Sequence, residues 1–234
     1  MNRPNQDHVA IQNDLTCRWG FLFPVTETTC EKQVKEVSEI VSLLFETFDN
    51  FIIPQKVVAN VQYYPAETTV PKSTGDTNSR LKTTDVVLSE ADGISADELI
   101  NLFYSNSEGV PFVGRVKFEK TAVNIYLESG NIYINGDGPS AEYLKGEQIN
   151  NSPSISPLSI EMTYFPAHTQ DEIESESMYY LKVDTKTNIW FEKTEVGQKN
   201  ANSLSDFLKR VGDTLPVESV VRDTNSGLDL TEIY

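Results

Sequence analysis

Nucleophilic catalysis through histidine has only His8 and His168 to draw on. A Ser–His–Asp or Cys–His site would have to use His168, in the loop after MTYFP, and no G-x-S-x-G elbow accompanies it. Neither Cys17 nor Cys30 carries a local nucleophile signature. Metal chemistry fares no better, because C-x-x-C, H-E-x-x-H and H-x-x-H spacings are all missing. The stretch DEIESE (Asp171 to Glu176) offers carboxylate oxygens but not the D-x-D-x-D-G order of a calcium loop. GDGPSA (Gly136 to Ala141) fits the letters of a G-x-G-x-x-A phosphate loop. That mechanism needs a long helix whose N terminus faces pyrophosphate, and EYLKGEQINN is short, polar and broken at Gly146. With 35 acidic residues, some carboxylate pair will always sit at a glycosidase-like distance, so the number alone says nothing. Glu161 in SIEMTYF and Asp184 after YYLKV are the acids set among apolar neighbours, and strand alternation points both towards solvent. The expectation is a chain with no catalytic residue, no metal and no cofactor.

Charge and aromatic content point instead to binding. The 234 residues carry 35 acids against 19 Lys and Arg, a formal charge of -16. The acidity is spread along the sequence, net -6 over residues 1–120 and -10 over 121–234. Phosphate backbones and anionic lipid surfaces both require basic clusters, so neither nucleic acid nor membrane is expected as a partner. A basic protein is, drawn in by long-range steering. The 10 Tyr, 11 Phe and 2 Trp cluster in YYP, MTYFP, MYY and IWF. Consecutive strand residues face opposite sides, so one member of each doublet must leave the primary core unless both faces are covered. The expected binding surface combines Tyr179 and Trp190 with Asp171, Glu172, Glu174 and Glu176, aromatic anchors rimmed by acids. No apolar run approaches a membrane span, and MNRPNQDHVAIQNDLT lacks the apolar core of an export signal. A cytoplasmic protein with two free thiols is expected.

These residues need a scaffold, and the periodicities predict one. CRWGFLFPV reads as a buried strand. TTCE, Thr28 to Glu31, reads as a capping box opening a helix to about Asp49, with Val34, Val37, Val41, Leu44 and Phe48 on one stripe. KVVANVQYYP and RLKTTDVVLSE read as strands, and SADE caps a short helix that buries Leu99, Ile100 and Phe103. FVGRVKFEK alternates as a strand, and TAVNIYLESGNIYING reads as a hairpin turning at ESGN. LSIEMTYFP is a further strand, and MYYLKVDTKTNIWFEK a second hairpin turning at DTKTN. A helix capped by Asn202 or Ser203 follows, with Leu204, Phe207, Leu208 and Val211 on its face and Gly212 as its stop, then a strand over VESVV. The predicted class is α+β, mostly antiparallel, with about three helices packed on the sheet. Residues 1–16 are expected to be a flexible N terminus, 17–222 one domain with a subdomain break near 136–157, and 223–234 a polar tail.

One stretch carries a resemblance. YLKVDTKTNIWFEKTEVGQKNANSLSDFLKRV, within residues 179–211, resembles the C-terminal unit of bacterial immunity-type and uncharacterised α+β proteins. In those a Tyr-containing strand, a tight turn, a DIWF- or DVWL-like strand, a polar loop with an Asn and a Leu-bearing helix follow one another. Asn188 stands where an Asp is often found, and Asn200 or Asn202 matches the Asn before the helix. The resemblance implies a protein-binding role of the toxin-neutralising kind and transfers no functional residue. The expected function is a non-catalytic acidic protein-binding module, an immunity-type inhibitor of a basic nuclease-like toxin. The alternatives are a carboxylate-based hydrolase and a structural or assembly protein that self-associates.

Overall fold

Every second side chain of CRWGFLFP is large, apolar or both, and the strand it forms, β1 (Cys17–Pro24), buries Cys17, Trp19, Phe21 and Phe23. The computed structural model describes residues 16–64, 69, 82–90, 92–105, 109–127, 130–134, 157–166, 169–170, 173–174, 176–187, 189–225 and 228–234. The N-terminal segment 1–15, His8, His168 and the GDGPSA stretch lie outside them. So does almost all of the expected break near 136–157.

The remaining strands are β2 (Ile52–Tyr64), β3 (Lys82–Ser89), β4 (Val110–Leu127), β5 (Gly130–Ile134), β6 (Ser159–Phe165), the two-residue pair β7 (Thr169–Gln170) and β8 (Ile173–Glu174), β9 (Met178–Thr185) and β10 (Ser219–Thr224). Apart from β7 and β8 they form one sheet in the order β10-β1-β9-β6-β4-β2-β3, with β5 beside the C-terminal half of β4. Every pairing is antiparallel. FVGRVKFEK and TAVNIYL prove to be one continuous strand, β4. β2 starts earlier than expected and runs through Pro54. Pro54 pairs with Thr121 of β4 before β3 begins to pair, where a missing N–H leaves no gap in the ladder.

Three helices lie on one face. Thr29, rather than Thr28, caps α1 (Cys30–Phe48), accepting the Lys32 N–H at 3.4 Å. Its expected stripe from Val34 to Phe48 is buried. α2 (Ala96–Phe103) opens on the predicted box: the Ser95 N–H donates to Glu98 Oε2 at 2.7 Å, and the Glu98 N–H to Ser95 Oγ at 3.3 Å. α3 (Glu195–Thr214) begins a full two turns before Asn202 or Ser203, and Thr194 is its cap, accepting the Gly197 N–H at 2.9 Å. TEVGQKNAN reads as a turn because Thr194, Gly197, Asn200 and Asn202 are poor helix formers. The glycine is there for space, since a Cβ would press on the Glu192 carbonyl. α3 also runs past Gly212 to Thr214.

The larger of two apolar clusters joins the helices to one face of the sheet, from Cys17 to Ile233, and a small second one gathers Cys30, Tyr64 and Phe112. Two further sequence expectations need correction. IWF is not a strand: Ile189, Trp190 and Phe191 sit in turns, and β9 has no hairpin partner after it. The Thr185 hydroxyl explains the turn, donating to the Pro157 carbonyl at 2.8 Å while accepting the Thr187 N–H at 3.3 Å and Trp190 Nε1–H at 2.9 Å. Residues 223–234 are not simply a polar tail: β10 reaches Thr224, a 3-10 turn spans Leu230–Glu232, and Leu230 and Ile233 join the core.

Candidate protein-binding surface

The two aromatics expected at the surface are core residues. Tyr179 and Trp190 are each 1% exposed. Tyr179 stands on the helix-facing side of β9, its ring 5.6 Å from Phe23, and accepts a hydrogen bond from Gln33 Nε2. Burial pushes its phenol well above the ordinary value, so it stays protonated. Trp190 packs edge-on to Phe51 at 6.1 Å. Of the acids paired with them, Asp171 and Glu172 lie outside the described residues, Glu174 falls in β8, and Glu176 is exposed. Two of the doublets divide between faces as alternation requires, with Tyr180 and Phe165, not Tyr179, as their outward members, while Tyr63 and Tyr64 of YYP are both buried. Phe165 is 44% exposed and meets the Tyr180 ring edge-on at 6.0 Å.

No described helix covers the face of the sheet that carries Tyr180 and Phe165. That face is a row of ion pairs, most of them between neighbouring strands and one within β9. Arg18 Nε meets Asp184 at 2.8 Å, Lys182 reaches Glu161 at 3.7 Å and Asp184 at 3.8 Å, and Lys56 meets Glu119 at 2.7 Å. The hydrogen bond to Lys56 holds Glu119 below the usual carboxylate range. Glu161 and Asp184, the two acids set apart for possible chemistry, are therefore engaged by Lys182 and Arg18. Opposite charges opposite one another stabilise the sheet and leave this face with little net charge to offer a partner.

The helical side differs. Residues 27–49 and 90–105, which hold α1, α2 and the loop before α2, carry ten acids against only Lys32 and Lys35. That is a net -8, half the charge of the chain in about a sixth of its length. The two helices pack on each other, so acids far apart in sequence share one surface. Glu31, Glu39, Glu46, Asp49, Asp92 and Asp97 are exposed. Lys32 pairs with Glu27 at 3.6 Å and Lys35 with Glu39 at 3.9 Å, while Glu31, Glu46, Asp92 and Asp97 have no ion pair among the described residues. Glu46 and Asp49 end α1, where the helix dipole is already negative; its own last turn holds no basic residue, and Arg210 of α3 donates from Nε to the Thr47 carbonyl at 3.1 Å. Asp49 also holds a left-handed backbone, φ 45°. Tyr104, the C-cap of α2, is 49% exposed beside this surface.

Sequence reading missed this gathering because charge along a chain does not show which helices pack together. It also missed Asn200, which is buried inside α3 and not a residue before it. Asn200 Oδ1 accepts the Tyr126 N–H at 2.7 Å and Nδ2 donates to the Tyr126 carbonyl at 3.1 Å, fastening α3 to β4.

The cysteines are free and buried. Burial raises the Cys30 thiol to about 11, so little thiolate exists at neutral pH. A thiol reagent added to the native protein is expected to label neither Cys17 nor Cys30, and to label both once urea unfolds it. Rapid native labelling of Cys30 would show an accessible thiolate and contradict this placement. Among the described residues no three His, Cys, Asp or Glu side chains converge to hold a metal ion, and no helix is long and apolar enough to cross a membrane.

No protein-family model matches this chain, and neither a curated protein nor a solved structure matches it.

Proposed function

We propose that this chain is a non-catalytic acidic module that docks a basic protein on the α1–α2 surface, in the manner of an immunity-type inhibitor facing a basic nuclease-like toxin. The observation that carries the reading is that the segments forming that surface hold half the net charge, with Glu31, Glu39, Glu46, Asp49, Asp92 and Asp97 exposed, while the sheet face neutralises its own. Arg210 takes the Thr47 carbonyl at the negative end of α1, but Glu46 and Asp49 beside it have no ion pair among the described residues, and a partner's Arg or Lys would supply one. Tyr104 supplies an aromatic contact at the rim.

The test compares two triple variants as bait for basic proteins from the native host, at low and at high salt. Glu31, Glu39 and Glu46 are changed to Lys in one, Asp206, Asp213 and Glu218 in the other. All six are exposed, and both variants change the net charge by the same amount. The α1 variant is expected to lose on the order of tenfold in affinity for the captured basic protein, with unchanged melting temperature, and the control far less. Equal losses from both would show attraction to overall charge and remove the α1–α2 surface as the docking site.

A further inference from the structure

The main strand path of the sheet ends in two edge strands, β10 and β3, and they are finished differently. β10 is six residues long, exposes Arg222 and Asp223, and is accompanied by the segment after it, whose Tyr234 carbonyl accepts from Arg222 Nε and whose ring lies 5.3 Å from the Arg222 guanidinium. Such charges and a covering segment blunt an edge. β3 is eight residues of KTTDVVLS, prolongs its pairing on β2 through the Glu90 N–H to the Gln55 carbonyl at 3.0 Å, and has no strand on its outer side among the described residues. It contains no proline. Its central charge, Asp85, is drawn over the sheet by Asn60 Nδ2 at 2.8 Å. Val87 stands 52% exposed.

We infer that the outer edge of β3 is a self-association site, at which a second copy of this chain adds its own β3 antiparallel across a two-fold axis at Val86. The strand is self-complementary about that residue. Lys82 stands four positions before Val86 and Glu90 four after, so each Lys82 faces the other copy's Glu90 on the same side of the joined sheet. Val86 faces its own copy, and Leu88 faces Thr84. The register centred on Asp85 sets two carboxylates face to face. The register centred on Val87 leaves Lys82 beyond the end of the opposing strand. A strand edge alone would accept many sequences through its backbone, and the placement of these two charges selects an identical chain. The helices of both copies then lie on one face of a continuous sheet, leaving two α1–α2 surfaces open. This inference goes beyond the docking proposal and does not depend on it.

Sedimentation of the full chain over micromolar to millimolar concentration tests it, with Lys82→Glu, Glu90→Lys and the double swap. The wild type is expected to form a dimer and no larger species. Either single change sets like charges opposite at two symmetric places and is expected to weaken the dimer roughly tenfold, and the double swap to restore it to within about twofold. Both positions are exposed, so the circular dichroism spectrum should not change. A monomer at every concentration, a dimer indifferent to the single changes, or open-ended growth would overturn the inference, the last by indicating β3 on β10. Lysines at Glu31, Glu39 and Glu46 should leave the dimer intact, which separates this result from the partner test.

Discussion

Replacing Trp190 with Ala is expected to lower stability by about 3–5 kcal/mol, whatever it does to binding. The indole is 1% exposed and lies against Phe51, and its Nε1–H is one of three hydrogen bonds gathered on the Thr185 hydroxyl. Removing it opens a large apolar void and leaves the turn after β9 without its inward anchor. For a chain of this size the loss corresponds to a fall in Tm of roughly 6–20 °C. Trp190→Phe keeps most of the ring and loses chiefly the hydrogen bond, so about 1–2 kcal/mol is expected. Urea unfolding of both variants checks this. A Trp190→Ala protein with an unchanged midpoint would return the residue to the surface.

Gln33→Ala is the second large effect, and its cause is polar. β4 carries an irregularity where Val113 and Arg115 pair with Val61 and Asn60, skipping Gly114. Gln33 reaches from the first turn of α1 to that point. Its Oε1 accepts the Val113 N–H at 3.4 Å, and its Nε2 donates to the Val113 carbonyl at 3.3 Å and to the Tyr179 hydroxyl. Gln33 is fully buried, so alanine strands three polar groups away from water, at about 1–3 kcal/mol each. A loss of roughly 3–5 kcal/mol is expected. Tyr179→Phe alone should cost about 1 kcal/mol, but in the Gln33→Ala background it should be neutral or stabilising, because it removes a hydroxyl left without a partner. Additive losses in the double variant would show that the two side chains are not coupled.

Periodicity made the elements legible and left their joins obscure. The stripe from Val34 to Phe48 and the Ser95–Glu98 box are local, and both are present as read. Trp190 was misplaced because IWF has strand-like composition, while a distant carbonyl, Pro157, sets the turn through Thr185. Tyr179 and Tyr180 are equivalent in sequence. Only the register of β9 against β1 and β6 decides that Tyr179 joins Phe23 in the core and that Tyr180 lies over Gly20 on the far face. The acidic surface was hidden for the same reason, since α1 and α2 meet only after two strands have intervened.

The position of β1 in the sheet has a consequence during synthesis. Its neighbours are β9 and β10, and Cys17 faces Thr224 across 207 positions of chain. At about 5–20 residues per second, the ribosome leaves CRWGFLFP without either neighbour for roughly 8–35 seconds. Through that interval the most apolar strand of the protein is an unpaired, sticky segment of the nascent chain, and the N-terminal half cannot complete its sheet on its own. Folding therefore waits for the C-terminal half to emerge, and a chaperone that holds β1 has the whole of translation in which to act.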